Sequence, residues 1–268
     1  IVSNNQRRWL FYSRRLAPGG KRAARLEISK EEMNMFNTTA SPQKKYIPYP
    51  VVDLQDRKWP ANVITKAPIW CSVDLRDGNQ ALPIPMSIEE KLELFRLLVE
   101  LGFKEIEVGY PAASETEYAF IRRLITENLI PEDVTIQVIC PCITDLINRT
   151  FDAVRNAKKV IIHFMNSTSP LQRSVVFNAD KEMVSGMAVK AARLIKAEGE
   201  KLAASGTDVV YEYSPESFTE TELDFALEIC EAVMDTIGAD ESHPMIVNLP
   251  ATVEKTTPNV YADRIEWF

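Results

Sequence analysis

The turn that decides the fold is Asp74-Leu75-Arg76-Asp77-Gly78-Asn79-Gln80, which directly follows the apolar run Ile69-Trp70-Cys71-Ser72-Val73. The apolar run is typical of a buried strand, and the polar segment is typical of a turn at its end. Gly78 allows the backbone to turn where a Cβ atom would resist. Asp77 is a candidate ligand for a divalent cation, and the donors of Arg76 suit a carboxylate or a developing enolate. Such a turn alone is more often a solvated loop, so the strands that follow decide between the two interpretations.

Composition limits the classes of protein to which the chain can belong. It has 268 residues, of which 46% are hydrophobic, enough for the core of one large or two small domains. No run of about 18 apolar residues occurs, so no membrane partner is expected. The net charge of −7 argues against nucleic acid as a partner. The four cysteines lie within apolar patterns, as expected for reduced thiols in the cytoplasm.

The first 45 residues differ from the rest, because arginine and lysine crowd residues 7–25 without apolar periodicity. An organellar presequence would explain this and would place the protein in a mitochondrion or plastid. A disordered tail is a second interpretation. A third, which we prefer, is that the segment is not native protein, since the chain begins without Met and Lys30-Glu31-Glu32 precedes Met33. We expect residues 1–45 to be a basic extension and residues 46–268 to be the catalytic domain.

Short apolar runs alternate with helical patterns from residue 69 onward. The predicted strands are residues 69–73, 106–109, 134–139, 160–164, 209–213 and 245–248. The predicted helices include residues 146–154, 181–204 and 254–268. Three further helix starts are predicted from capping pairs, namely Ser87 with Glu90, Ser114 with Glu117, and Thr219 with Glu222. Gly102 is expected to end the first helix.

Six strand–helix units of this kind predict a parallel sheet with crossover helices. Two architectures fit, a doubly wound sheet and a (β/α)8 barrel. No Gly-rich phosphate turn follows the first strand, and polar residues end nearly every strand. Both features favour the barrel, whose active site collects residues from the carboxyl ends of many strands. We therefore predict an α/β fold, a TIM (β/α)8 barrel of which about six of the eight units are present.

Polar residues at the strand ends form the candidate site. His163 ends the fourth strand, Ser214-Pro215-Glu216 follows the fifth, and Asn248-Leu249-Pro250-Ala251-Thr252 follows the sixth. Each has a structural alternative: a hydrogen-bonded core histidine, an acid near a helix N-terminus, and a helix cap, respectively. Their shared position at the same end of consecutive strands favours a site for a small anionic substrate and a divalent metal.

Five blocks occur in order at regular intervals: DLRDGNQAL from Asp74, EIEVGYP from Glu105, HFMNSTS from His163, EYSPES from Glu212 and NLPATVE from Asn248. Together they resemble the long form of the 2-isopropylmalate synthases, over about residues 46–268. The RDG turn alone resembles only the wider family of homocitrate, citramalate and 3-hydroxy-3-methylglutaryl lyase-like barrels.

The resemblance implies an acyltransferase of leucine biosynthesis with acetyl-CoA as co-substrate. Acetyl-CoA would lose a methyl proton, and its enolate would attack the keto carbon of 2-oxoisovalerate. Hydrolysis of the thioester would then release CoA and 2-isopropylmalate. The family also implies a divalent metal (Mg²⁺, Mn²⁺ or Zn²⁺) as Lewis acid. The complete protein is expected to be a cytoplasmic homodimer that acts on small molecules.

The resemblance further assigns catalytic and metal-binding roles by position. Asp77 would be a metal ligand. Arg76 would stabilise negative charge on the substrate oxygen or the enolate. Glu216 would be an acid–base or orienting carboxylate near the thioester.

It also assigns the substrate pocket, whose predicted residues are Gln80, Ile139, His163, Met165, Ser214 and Thr252. Thr252 would bind the carboxylate of the keto acid. Ile139 and Met165 would shape the side-chain end of the pocket, and Met165 stands where the family is expected to have an aromatic residue.

The family's His-x-His pair, which supplies two further metal ligands, is expected downstream of residues 259–263 and is not in this chain, whose second histidine is His243. A single carboxylate does not make a site for a hard cation that takes about six ligands. We therefore expect the 268-residue chain to bind metal poorly and not to turn over.

Three alternatives remain open. The barrel could be a citramalate or homocitrate synthase, which Ile139, Met165 and Ser214 would decide. It could also be a non-catalytic fragment that acts as an assembly partner, or the sequence could be part of a longer gene.

Overall fold

Parallel strands joined by crossover helices make up the folded part of the chain. The computed structural model describes residues 49–268, so the predictions for residues 1–45 lie outside it. The strands are Cys71–Ser72 (β1), Glu105–Gly109 (β2), Thr135–Pro141 (β3), Lys159–Ser167 (β4), Asp208–Glu216 (β5) and Ile246–Val247 (β6). The helices are Ile88–Glu100 (α1), Glu115–Thr126 (α2), Thr144–Val154 (α3), Lys181–Ala204 (α4), Leu223–Ile237 (α5) and Pro258–Trp267 (α6). Within residues 49–268, no helix combines the length and apolar character needed to cross a membrane.

The strands lie in the sheet in the same order as in the sequence, β1-β2-β3-β4-β5-β6. Every neighbouring pair is parallel. A doubly wound sheet reverses its order at a switch point, whereas a (β/α)8 barrel adds each strand beside the previous one. The unbroken order confirms the predicted fold class, with six units of a (β/α)8 barrel in the described part of the chain.

The two faces of the sheet differ because successive side chains along a strand point to opposite faces. On β4, Val160, Ile162 and Phe164 are fully buried and belong to the core between the sheet and the helices. The residues between them point to the inner, concave side, and these include His163 and Met165. The functional residues therefore lie on the face opposite the main core.

The helix boundaries follow local capping where the sequence supplies it. Ser87 and Glu90 form the predicted capping box of α1, in which Glu90 Oε2 accepts from the Ser87 amide at 2.8 Å. Gly102 follows the helix with φ +94°, as expected of a C-terminal glycine. The 24-residue helix α4 occupies the predicted residues, and its N-cap Asp180 accepts from the Met183 amide at 2.8 Å.

Several predicted boundaries were wrong. Thr219 and Glu222 do not cap α5 together, because Thr219 donates to the Val253 carbonyl and Glu222 pairs with Arg173. The last helix begins at Pro258 rather than at residue 254, since Pro suits the first helical position. Strands β1 and β6 are only two residues long, because each has a neighbour on one side only in the described part of the sheet.

Candidate active site

One cavity of about 370 Å³ lies at the carboxyl ends of the strands. All nine predicted site residues line it: Arg76, Asp77, Gln80, Ile139, His163, Met165, Ser214, Glu216 and Thr252. Asn248, Pro250 and Ala251 complete the lining. Residues far apart in sequence are thus brought together, whereas the roles assigned to them stay predictions.

Strand register explains why residues from different strands meet in the cavity. Ile139 of β3 lies beside His163 of β4, and Met165 of β4 lies beside Ser214 of β5. Side chains paired in register share a face of the sheet. The two strand pairs therefore direct all four side chains into the same inner space.

The turn after β1 is a π-helical turn, Asp74–Gly78, that presents Arg76 and Asp77. The Val73 carbonyl accepts from the Arg76, Asp77 and Gly78 amides at 3.1, 2.8 and 3.3 Å. Gly78 was expected to allow a turn that a Cβ atom would resist, and this was wrong. Its φ is not positive, and an added Cβ would make only an ordinary contact of 3.7 Å with Asp74.

Two carboxylates hold the Arg76 side chain. Its Nε donates to Glu107 and its Nη1 donates to Asp77. Gln80 Nε2 donates to the same Asp77 oxygen at 2.7 Å. A guanidinium fixed in this way presents its remaining donors in one direction.

A row of hydrogen bonds crosses the inner face from β2 to the end of β6. Glu107 Oε2 lies 2.7 Å from His163 Nδ1, and His163 Nε2 lies 2.7 Å from Ser214 Oγ. Asn248 Nδ2 donates to the same serine oxygen at 2.7 Å, and Gln137 Nε2 donates to Glu107 at 2.7 Å. His163 is only 4% exposed, so it is both a hydrogen-bonded core histidine and a wall of the cavity.

The two buried glutamates on this face have pKa values that are shifted in opposite directions. Burial opposes ionisation of Glu107, but the hydrogen bond and charge of His163, aided by the charge of Arg76, hold its pKa at about 2. Burial instead raises the pKa of Glu212, whose Oε1 lies 3.6 Å from His163 Nε2. Two carboxyl groups whose pKa values are shifted in opposite directions therefore flank one histidine.

A second row of contacts links Glu216 to Thr252. The Ser167 hydroxyl donates to Glu216 Oε2. The next residue, Ser217, adopts the left-handed conformation with φ +65°, which is unusual outside glycine, and its amide donates to Thr252 Oγ1 at 2.9 Å. Thr252 does not cap α6, which begins at Pro258, and Glu216 lies seven residues before Leu223, the first residue of α5. The structural alternatives for these two residues are therefore wrong.

Ile139 and Met165 also line a second cavity of about 410 Å³ next to the first. Arg76 and Gln80 are shared by both cavities. The residues that are found only in the second cavity are Asn79, Pro85, Tyr110, Ala113, Ser114, Glu117 and Pro141. The two apolar side chains thus form part of the wall between the two spaces.

A divalent metal is the cofactor that the family resemblance implies. Asp77 offers a carboxylate that is 45% exposed, with one oxygen engaged by Arg76 and Gln80. Across residues 49–268 there is no group of three or more His, Cys, Asp or Glu side chains placed to hold a metal ion. The described residues therefore do not by themselves fit a metal site.

Sequence reasoning missed three inner-face residues, namely Glu107, Gln137 and Glu212. The signal for them was available, because all three are polar residues within otherwise apolar strands. A buried polar side chain requires a partner, so such positions mark contacts across the sheet. Asn248 lies within a quoted block but had no role assigned.

Comparison with known proteins identifies the family of the chain. Residues 67–268 match the family model described as HMGL-like. The match spans most of the chain, and the chain belongs to the HMGL-like family.

The curated relatives within that family narrow the class. The chain is 56% identical over 224 residues to the 2-isopropylmalate synthase of Clostridium acetobutylicum, covering 84% of this chain and 40% of the relative. It is 56% identical over 227 residues to the synthase of Rhodospirillum rubrum, covering 85% and 40%. It is 57% identical over 226 residues to that of Parafrankia sp., covering 84% and 40%. The predicted resemblance is confirmed, and the chain spans about 40% of the length of these relatives.

A solved structure, the HMG-CoA lyase of Bacillus subtilis, also matches part of the chain. The TM-score is 0.44 at 12% sequence identity, over 63% of this chain and 55% of that chain.

Proposed function

We propose that this chain is part of a 2-isopropylmalate synthase, which condenses acetyl-CoA with 2-oxoisovalerate and, on hydrolysis of the thioester by water, gives 2-isopropylmalate and CoA. The observation that carries the proposal is that nine residues predicted from separate sequence blocks line one cavity. The three relatives of that name, at 56–57% identity, support it.

Thr252 is proposed to bind the carboxylate of the keto acid. Its oxygen accepts the Ser217 amide, so its hydroxyl proton is available for an anionic oxygen in the cavity. Ile139 and Met165 provide the apolar wall for the isopropyl group.

Ser214 is proposed to be a fixed polar contact for the keto acid. The serine oxygen accepts from Asn248 Nδ2 and lies 2.7 Å from His163 Nε2, so both neighbours hold the hydroxyl in place. The Nδ1 proton of His163 points to the Glu107 carboxylate, which orients the ring.

Arg76 and Glu216 are proposed to be the catalytic residues. The guanidinium, held by Glu107 and Asp77, directs its remaining donors at the oxygen on which negative charge develops as the enolate forms. Glu216, oriented by Ser167, exchanges protons near the thioester carbonyl. Gln80 orients the Asp77 carboxylate beside them.

We propose Asp77 as one ligand of a divalent metal, and we derive no step through that metal because residues 49–268 do not complete its site. For the complete protein we propose a homodimer in the cytoplasm, in keeping with four unpaired cysteines.

The test is an assay of CoA release by a chimera in which residues 49–268 replace their counterparts in the Clostridium acetobutylicum relative. Acetyl-CoA is supplied with 2-oxoisovalerate, pyruvate or 2-oxoglutarate, and with Mg²⁺ or Mn²⁺. We expect CoA release with 2-oxoisovalerate, lost in Arg76→Met.

The parent synthase and the 268-residue chain alone serve as controls. Preference of the chimera for pyruvate or 2-oxoglutarate would assign the chain to a citramalate or homocitrate synthase instead. A folded but silent chimera beside an active parent would refute the proposal.

A further inference from the structure

An ion pair between a fully buried lysine and a largely buried glutamate lies behind the turn that carries Arg76 and Asp77. Lys91 of α1 is 0% exposed and forms a salt bridge with Glu117 of α2. The Lys91 ammonium also donates to the Leu75 carbonyl at 3.1 Å and lies 5.1 Å from the centre of the Phe120 ring. The lysine is thus surrounded by a carboxylate, a carbonyl and a ring face.

Such a pair is a costly way to fill a core. Moving the Lys91 ammonium out of water costs several kcal/mol, and apolar replacements of a buried ion pair are often as stable or more stable. Burial lowers the pKa of Lys91, and the hydrogen bond to Glu117 counters this. General stability therefore does not explain why these two charges are here.

The contacts of the pair hold the turn on both sides of Arg76. Leu75, whose carbonyl binds Lys91, immediately precedes Arg76. Asn79, which immediately follows Gly78, donates through Nδ2 to Glu117 Oε1 at 3.4 Å. The side-chain oxygen of Asn79 accepts from the Met86 amide at 2.8 Å, which fixes the segment that leads into α1.

The end of β2 is shaped to admit the same carboxylate. Glu117 Oε2 accepts from the Tyr110 amide at 3.3 Å. A Cβ atom added at Gly109 would lie 2.2 Å from that oxygen, so a side chain there would displace Glu117. Glu107, which binds Arg76, and Gly109, which contacts Glu117, belong to the same strand. The ion pair is therefore in contact both with the turn and with the strand that holds Arg76.

We propose that Lys91 and Glu117 are positioning residues that fix the π-helical turn and so place Arg76 and Asp77 at the cavity. The proposal rests on the proposed function only in the identity of the ligand that the cavity binds. The position of the turn can be measured without any ligand.

The test is hydrogen exchange of the Arg76, Asp77 and Gly78 amides, all of which donate to the Val73 carbonyl. The double variant Lys91→Met/Glu117→Gln removes both charges and leaves no unpaired ion. We expect protection of these amides to fall by about tenfold or more while the amides of β4 keep theirs. The affinity for 2-oxoisovalerate, measured on the same sample, falls with it.

The matched control is the exposed pair between the same two helices, Glu89 of α1 with Arg123 of α2. The double variant Glu89→Gln/Arg123→Met should leave protection of the turn unchanged. If the buried double variant does not fold, the single variant Glu117→Gln, which keeps the Lys91 contact with Leu75, is measured in the same way.

Unchanged protection of the turn would overturn the positioning role, as would a loss spread equally over β4. Lost protection in a protein whose wild type binds no 2-oxoisovalerate would refute the proposed function and leave the positioning role standing.

Discussion

The two faces of one sheet are built by different physical rules. On the outer face, Val160, Ile162 and Phe164 pack against helices through contacts that have no preferred direction. On the inner face, His163 has a named partner at each ring nitrogen, Glu107 and Ser214. The outer face requires apolar volume, whereas the inner face requires particular atoms at particular distances.

This difference separates stability from function within single strands. Residues of β4 alternate between the two faces, so one residue contributes to stability and its neighbour in sequence contributes to the cavity. Substitutions on the outer face should change the free energy of unfolding, and substitutions on the inner face should change binding more than stability.

The largest effect is expected for Phe164→Ala on the outer face. Phe164 is fully buried, and its ring centre lies 5.2 Å from that of Tyr213. Removing it should lower the free energy of unfolding by about 3–5 kcal/mol because a cavity remains. Urea unfolding measures this loss. The folded fraction should bind 2-oxoisovalerate as the wild type does, and lost affinity with full stability would contradict the comparison.

The next effect is expected for Glu107→Gln on the inner face. The amide keeps the shape of the carboxylate but removes the negative charge that faces Arg76 and His163. We expect unfolding to become easier by about 1–3 kcal/mol, the cost of leaving buried donors poorly paired. The free energy of binding the keto acid should fall by more than the free energy of unfolding. Calorimetry measures the first quantity and urea unfolding the second. Equal affinity in both proteins would show that Glu107 does not place Arg76.

A titration distinguishes the charge of Glu107 from its shape. Its pKa is about 2 in the folded protein against an ordinary value of 4.5. A lowered pKa stabilises the folded state above the ordinary value, and this stability is lost as the pH falls toward the folded value. The wild type should therefore lose more unfolding free energy than Glu107→Gln between about pH 5 and about pH 3.

The variant Glu222→Gln is the control for that titration. Glu222 also has a pKa of about 2, chiefly because Arg173 donates to it, but its side chain is 42% exposed. Solvent screens an exposed pair, so the control should alter the pH dependence less. If the free energy of unfolding depends on pH in the same way in the wild type and in Glu107→Gln, the charge of Glu107 does not contribute to that dependence.

The outer face and the strand order could be read from the sequence, and the inner contacts could not. Apolar runs with period two and helical repeats between them depend on neighbouring residues only, as in α4, whose ends were predicted correctly. The Glu107–His163 contact joins residues 56 positions apart and depends on the register of three strands. No local pattern contains that register.

The same limit explains the errors at helix and strand ends. The start of α5 was misplaced because Glu222 has a stronger partner in Arg173, 49 residues earlier, than in the local cap. The site residues themselves were found by resemblance between sequence blocks. The structure then showed that Glu107 contacts His163 and that Asn248 contacts Ser214.

The smallest effect is expected for Ile139→Val, and it tests whether an apolar residue on the inner face follows the rules of the outer face. Ile139 is 8% exposed and lines both cavities, so it contributes buried apolar surface and also bounds the substrate. If Ile139 behaves as a core residue, deletion of one methylene should lower the free energy of unfolding of the protein by about 0.5–1.5 kcal/mol.

If Ile139 is part of the pocket wall, the variant should admit a keto acid one methylene longer. Its preference for that acid relative to 2-oxoisovalerate should then shift by about tenfold. Competition binding with the two keto acids measures the shift. The matched control is Ile162→Val, which deletes the same methylene from a buried residue on the outer face of β4. An equal loss of stability in both variants with a shift in preference only for Ile139→Val would mean that the face of the sheet, rather than residue type, determines function. A shift in both would mean that the two faces are coupled through the strand, and the separation between them would fail.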